Sequence, residues 1–254
     1  MISVFSNVLV LLFVYATGWF VFSVYEKRND VADIAWGLGF CAVCVYLFST
    51  QPHQIISIVL YVLVTAWGLR LSLHIYLRSR NKPEDFRYQQ WREAWGKTFY
   101  WRSYLQVYLL QAFFLFVICS PVVLASVSSA TDWSWFTSIG IGIWSLGFFF
   151  QTVADYQLSV FVRQRKDKSE IIQSGLWKYS RHPNYFGEIL MWWGIFIIIL
   201  PLKYGVFFII SPLTLSVLLI FVSGVPMLEK KYEGNAAFQA YKKRTPALLP
   251  KMWR

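Results

Sequence analysis

Apolar residues in this chain gather into seven long runs, separated by polar connections whose charges are unevenly shared. The runs cover residues 3–25, 34–50, 54–77, 104–127, 134–161, 185–201 and 204–226. Most approach the ~20 residues that a helix needs to cross a ~30 Å hydrocarbon layer. In lipid every backbone group must be hydrogen-bonded internally, so runs of this length are read as helices. The connections then set their direction. Lys27 and Arg28 follow the first run, Arg70 to Arg102 mark the end of the third, Arg163 to Arg181 follow the fifth and Lys230 to Arg254 the seventh. Connections 50–53, 128–133 and 201–204 carry only Lys203. Of 24 Lys and Arg, all but Lys203 thus fall on one face, which the positive-inside rule assigns to the cytoplasm. The pattern predicts an all-α, polytopic membrane protein: a seven-transmembrane-helix bundle with its N-terminus outside and C-terminus cytoplasmic. Residues 1–254 read as one transmembrane domain whose tail, 227–254, is cytoplasmic. The membrane is a bacterial inner membrane or an endoplasmic reticulum.

Composition narrows the class. With 57% hydrophobic and 20% aromatic residues the chain is too apolar for an ordinary soluble domain. A net charge of +11 would suit nucleic acid, but its confinement to one side is explained by anionic headgroups, so no nucleic-acid partner is expected. The first run lacks a basic flank before it and is long enough to stay in the bilayer rather than be cleaved. Cys41 and Cys44 form a CxxC within an apolar run, with no second pair or nearby His, so no metal site is expected. Gly37 and Gly39, or Gly140 and Gly142, are too closely spaced for a Gly-xxx-Gly face, and the protein is expected to be a monomer.

Candidate chemistry lies where ionisable groups intrude on the runs, because each is costly in lipid unless partnered. Asp30, Asp33 and Gly37 share a helix face at the start of the second run, where acids either cap the helix or line a pocket. Asp33, beside Trp36, suits the pocket. Arg70, His74 and Arg78 recur every four residues at the end of the third run, as snorkelling bases or pocket residues. A mixed-charge segment follows, Glu84-Asp85-Phe86-Arg87-Tyr88, then an aromatic and basic stretch from Trp91 to Trp101 that suits the membrane surface. Gln151, Asp155 and Ser159 share a face leading into Arg163, Arg165 and Lys166, as an ion pair or as acceptors beside a phosphate-binding cluster.

The most informative segment is Trp177-Lys178-Tyr179-Ser180-Arg181-His182-Pro183-Asn184-Tyr185-Phe186-Gly187-Glu188. Pro183 is suited to begin a helix, which with Arg181 and His182 gives an anion-binding geometry. Asn184 and Glu188 then lie on one face, and Glu188 needs a donor inside an apolar helix. In the tail, Tyr232 and Tyr241 among bases, with an apolar Ala247-Leu248-Leu249-Pro250 end, suit either a basic anchor or a cap folded over the cytoplasmic mouth.

The segment from Arg181 to Glu188, with Leu248-Leu249-Pro250, resembles the C-terminal region of the steroid 5-alpha-reductase superfamily. Asp30 to Gly37, Trp67-Gly68-Leu69-Arg70-Leu71, Glu84 to Tyr88 and Phe150 to Asp155 resemble its DUF1295 branch more closely. The resemblance implies a seven-helix bundle that holds NADPH on its cytoplasmic side. Hydride would pass to an electron-poor carbon–carbon double bond of a lipophilic substrate in a lipid-accessible cavity. Asp155, Asn184 and Glu188 match cofactor-contacting positions, and Arg163, Arg165, Tyr179, Arg181, His182, Tyr185, Tyr232 and Tyr241 complete the implied cofactor set. The Gln-Glu pair of steroid reductases proper is missing, and their His-Tyr pair is replaced by His74-Ile75-Tyr76. Asp33, Tyr76, Tyr88 and Glu188 are therefore the candidate catalytic residues. An Arg-His-Pro helix start also resembles S-adenosylmethionine-dependent methyltransferases of the isoprenylcysteine carboxyl type. A non-catalytic sterol- or lipid-binding protein is the third reading.

Overall fold

The computed structural model describes residues 1–129, 132–167, 169–230 and 232–251, so Lys168, Lys231 and Arg254 of the basic set lie outside the described residues. Among those residues the chain is helical, with no strand. Six stretches are long and apolar enough to cross a membrane: Ile2–Glu26, Val31–Thr50, Ile55–Ser79, Phe86–Ser126, Trp135–Gln164 and Gly205–Lys230. The remaining apolar run forms a shorter helix, Pro183–Ile199. The protein is thus an integral, multi-pass membrane protein.

The chain folds as two compact units, Met1–Trp133 with Pro201–Phe208, and Ser134–Leu200 with Ile209–Arg254. The first contains α1 (Ile2–Glu26), α2 (Val31–Thr50), α3 (Ile55–Ser79), α4 (Phe86–Trp95), α5 (Phe99–Ser103) and α6 (Leu110–Ser126). A π-helical turn, Tyr104–Leu109, joins α5 to α6. Helix α1 stops abruptly because Lys27 adopts the left-handed conformation (φ 55°) and its N–H turns back to Ser23 and Val24 carbonyls. This short stop starts α2 at Val31 and brings Asp30 and Asp33 to the end of the unit. Helices α2 and α3 touch backbone to backbone, because a Cβ on Gly37 would lie 2.6 Å from the Gly68 oxygen. Ser72 Oγ donates to Ile34 O across the contact at 2.9 Å, and Phe40 meets Trp67 edge-on at 5.0 Å.

The second unit contains α7 (Trp135–Gln164), α8 (Pro183–Ile199), α9 (Ile210–Val217), α10 (Val225–Lys230) and α11 (Ala236–Arg244). Ser134 and Thr137 form a capping box that starts α7, and Pro183 opens α8 where a missing N–H costs nothing. The two helices are joined along a stripe of glycines that their sequence spacing did not announce. A Cβ on Gly187 would lie 2.4 Å from the Gly147 oxygen, and one on Gly194 2.6 Å from the Gly140 oxygen. The stripe has a seven-residue period, one glycine every two turns on each helix. Gly142, by contrast, faces open space. So close an approach lets short polar side chains on facing helices reach one another.

Candidate functional site

Directly beside the Gly147–Gly187 contact, α7 and α8 present facing pairs of polar residues. Gln151 and Asp155 are four apart on α7, Asn184 and Glu188 four apart on α8, so each pair lies on one helix face. Gln151 Nε2 donates to Glu188 Oε2 at 2.8 Å. Asn184 Nδ2 donates to Asp155 Oδ1 at 3.1 Å. Gln151, Asp155 and Glu188 are buried. Each amide spends an N–H on a carboxylate, and this leaves Gln151 Oε1 and Asn184 Oδ1 buried with no hydrogen-bond partner. The site therefore has a surplus of acceptors and suits a ligand group that brings N–H donors or positive charge.

Just before α8, Arg181 is not a free anion receptor. Its Nε donates to Glu229 Oε1 at 2.8 Å, and its Nη1 donates to Thr245 O at 2.5 Å and Lys242 O at 3.3 Å. Glu229, from α10, is a hub: its Oε1 lies 3.3 Å from His182 Nε2 and its Oε2 2.8 Å from Lys242 Nζ. Burial lowers the His182 pKa, and this outweighs the opposing pull of Glu229. A neutral ring can still donate its Nε2–H to that carboxylate.

The tail closes over the same segment. Arg181 and His182 N–H donate to Pro246 O (2.9 Å) and Ala247 O (3.0 Å), and Lys251 N–H to Tyr179 O at 3.1 Å. Buried Tyr241 donates its hydroxyl to Trp177 O. The backbone after α11 thus lies along residues 179–182.

In the first unit, Asp33 accepts from Tyr88 Oη at 2.7 Å and from Arg87 Nη2 at 2.5 Å. Arg87 also binds Asp85 Oδ1 through Nε at 2.8 Å. Although burial raises the Asp85 pKa, the hydrogen bond and charge of Arg87 more than offset this and hold it below the usual carboxylate range. Asp30 stands at the N-cap position of α2 but makes no capping bond. Its carboxylate instead takes Arg28 Nη2 at 2.8 Å and the Asp85 N–H at 3.1 Å. Glu84 accepts the Asn29 N–H at 2.6 Å and Arg92 Nη2 at 3.0 Å. This network ties the start of α2 to the start of α4.

The candidates from sequence are thus distributed as follows. Asp155, Asn184 and Glu188 come together in the second unit, while Asp33 and Tyr88 come together in the first. Tyr76 is exposed on α3 and its hydroxyl makes no hydrogen bond among the described residues. Arg163 is exposed and Arg165 half-buried, and neither makes an ion pair among the described residues. Tyr179 is exposed under Lys178, whose Nζ is 5.7 Å from the ring. Tyr185 stacks on His182 at 5.6 Å, and Tyr232 on Phe238 at 5.3 Å. The residue that spacing missed is Glu229, which lies 48 positions from Arg181. Its one sequence signal is a carboxylate in a basic segment.

An all-helical polytopic membrane protein with a polar ladder at one helix pair is the class that these features define. Residues 19–245 match the family described as a protein of unknown function, DUF1295. The chain belongs to that family, which is steroid 5-alpha-reductase-like. An uncharacterized protein of Schizosaccharomyces pombe is 23% identical over 218 residues, which cover 74% of this chain. The chain spans 62% of that relative's length. No solved structure matches.

Proposed function

We propose that this protein is a membrane-embedded, NADPH-dependent reductase that acts on an activated carbon–carbon double bond of a lipophilic substrate. The observation that carries the reading is the acceptor-rich ladder of Gln151, Asp155, Asn184 and Glu188, with two buried amide oxygens unpartnered. A nicotinamide carboxamide brings the N–H donors that those oxygens lack. Bound NADPH would supply the hydride. The chain's part is to hold and orient it. Gln151 fixes Glu188 and Asn184 fixes Asp155, so the ladder is preorganised before a ligand arrives. Arg181 is committed to Glu229 and the tail, which leaves Arg163, Arg165 and Lys178 as the bases for phosphate. The tail's backbone bonds to residues 179–182 hold the tail against the segment that leads into α8.

The membrane arrangement belongs to the same reading. Helix α8, at 17 residues, is about 26 Å long at 1.5 Å per residue and serves as a seventh, thin span. The N-terminus then lies outside and the tail in the cytoplasm, where NADPH is available.

The same acceptors would also suit the sulfonium of S-adenosylmethionine, so the first test is comparative. Melting of the purified protein is followed with NADPH, NADH and S-adenosylmethionine in parallel. Saturating NADPH is expected to raise stability by about 2–3 kcal/mol at a hundredfold excess over Kd, and Gln151→Leu with Asn184→Leu to abolish the rise. A rise with S-adenosylmethionine alone would sink the reductase reading.

A further inference from the structure

At one end of the first unit, acids and bases are sorted by sign. The carboxylates of Asp30, Asp33, Glu84 and Asp85 are spent on Arg28, Arg87 and Arg92, with contacts of 2.5 to 3.0 Å. The chain ends that carry them meet there: Arg28 Nη2 donates to Ser79 O at 3.4 Å and Ser103 Oγ to Asn29 Oδ1 at 2.8 Å. What is left at the surface is basic. Lys27, Arg78, Arg80, Lys82, Lys97 and Arg102 are exposed and make no ion pair among the described residues, and the exposed acids at this end are Glu26 and Glu93. Residual charge of this kind draws anions to the face. The sequence alone does not show it, because there paired and unpaired bases count alike.

Aromatic side chains set the depth of two of these bases. Helix α5 buries Phe99 and Ser103 and turns Tyr100 and Trp101 outward, 51% and 66% exposed, with Leu105 exposed one turn beyond. The Trp101 indole N–H makes no hydrogen bond among the described residues. Rings with one apolar and one polar end collect where hydrocarbon gives way to headgroups. The π-helical turn and α6 that follow, of 6 and 17 residues, extend roughly 33 Å at about 1.5 Å per residue, the depth of a hydrocarbon layer. So α5 stands at the headgroup end of that span. Lys97 is four residues before Trp101 and Arg102 directly follows it, which puts both bases within a turn of that ring. Arg92 is not available to the same edge: Glu84 takes it at 3.0 Å and its guanidinium lies 4.1 Å from the Phe99 ring centre.

We propose that Lys97, Trp101 and Arg102 form a binding site for the headgroup of an anionic glycerophospholipid. The Lys97 ammonium, the Arg102 guanidinium and the Trp101 N–H donate to its phosphodiester. Its acyl chains run along Tyr100 and Leu105 toward Leu110 and Phe113, which α6 also leaves exposed. A headgroup that carries its own ammonium meets a face already in positive excess, so phosphatidylcholine is the weaker ligand. A soluble polyanion would satisfy the bases but supply nothing to Trp101 and Leu105, and this favours lipid. The site is independent of the reductase reading and of any nucleotide.

The test is native mass spectrometry of the full chain released from a neutral detergent. Phosphatidylglycerol and phosphatidylcholine with identical acyl chains are titrated in turn, and the retained adducts are counted. Phosphatidylglycerol is expected to bind at least about fivefold tighter, the factor of about one charge contact at a headgroup. Lys97→Gln with Arg102→Gln should bring the two lipids level and leave phosphatidylcholine binding unchanged. Arg80→Gln with Lys82→Gln removes the same charge from the same face outside the site, and should keep the preference. Equal affinity of the unaltered protein for the two lipids would overturn the proposal, as would a preference that survives Lys97→Gln with Arg102→Gln. An equal loss in the Arg80→Gln, Lys82→Gln pair would also overturn it, by assigning the lipid to diffuse charge. Binding of polyglutamate in preference to phosphatidylglycerol would give the face to a soluble acidic partner instead. None of the four bases makes an ion pair, so melting in detergent should not move. If the Lys97→Gln, Arg102→Gln pair does not fold, Arg102→Gln alone decides by the same comparison.

Discussion

Glu229 shows how much one side chain can organise. Its carboxylate is shared by Arg181, His182 and Lys242, which come from the start of α8 and from α11. Removing one partner of a buried ion pair leaves the other charge desolvated and uncompensated. Glu229→Ala is therefore expected to destabilise the protein by about 3–5 kcal/mol, and Glu229→Gln by less, as read by denaturant or thermal unfolding in detergent. Release of the tail should accompany the loss, visible as faster proteolysis after Lys242 or Lys243. His182 gives a pH signature whose sign follows from linkage. Its folded pKa lies below the ordinary 6.5, so the unfolded chain binds the proton first as pH falls. The stabilising contribution is complete above pH 6.5 and is lost as pH drops from there through the folded pKa. Melting temperature should thus decline below pH 6.5, and His182→Gln should flatten that part of the profile. An unchanged slope in the variant would assign the decline to other groups. The residue scale also corrects the view of Arg181, which spacing suggests as an anion receptor and whose donors are committed to Glu229 and the tail carbonyls.

At the scale of elements, the pairing of α7 with α8 positions the ladder. Four residues make one turn of helix plus a small remainder, so Gln151 with Asp155 and Asn184 with Glu188 could be read as shared faces from sequence. That the two faces oppose one another could not be read, because it depends on the glycine stripe between the helices. A Cβ at Gly187 would meet backbone atoms, the Gly147 oxygen at 2.4 Å and Gln151 N at 2.6 Å, and backbone cannot rotate aside. Gly187→Ala is expected to cost about 1–3 kcal/mol and to weaken NADPH binding with it, because separating the helices breaks both rungs. Gly142→Ala, in open space, is expected to change neither. Equal effects at the two positions would show that helix propensity, not close approach, governs the site. Gly140 and Gly147, like Gly187 and Gly194, are seven apart, which is two helical turns and keeps one face, a spacing outside the Gly-xxx-Gly pattern.

The topology proposed for the whole molecule is tested by access from the two sides of the membrane. The three native cysteines, Cys41, Cys44 and Cys119, are buried and give a low background for labelling. A cysteine introduced at Ser169 should react with an impermeant maleimide only after the cytoplasmic face is opened, and one at His53 in intact cells. Labelling of both from the same side would break the alternation on which an outside N-terminus rests. Much of this level was legible in sequence, because apolar runs and basic connections report the bilayer directly. Six of the seven runs form helices of spanning length, and the sixth run, 185–201, becomes the shorter α8. Charge and hydropathy act locally, residue by residue, against an environment that is the same for every helix. They therefore determine helical class and membrane character before any packing is known. Partner choice is different: Arg181 with Glu229, Asp33 with Tyr88 and Gln151 with Glu188 are separated by 37 to 55 positions. No spacing rule spans such distances. Those pairs were decided by which helix surfaces pack together, and that follows from where glycines permit close contact and where a chain can turn.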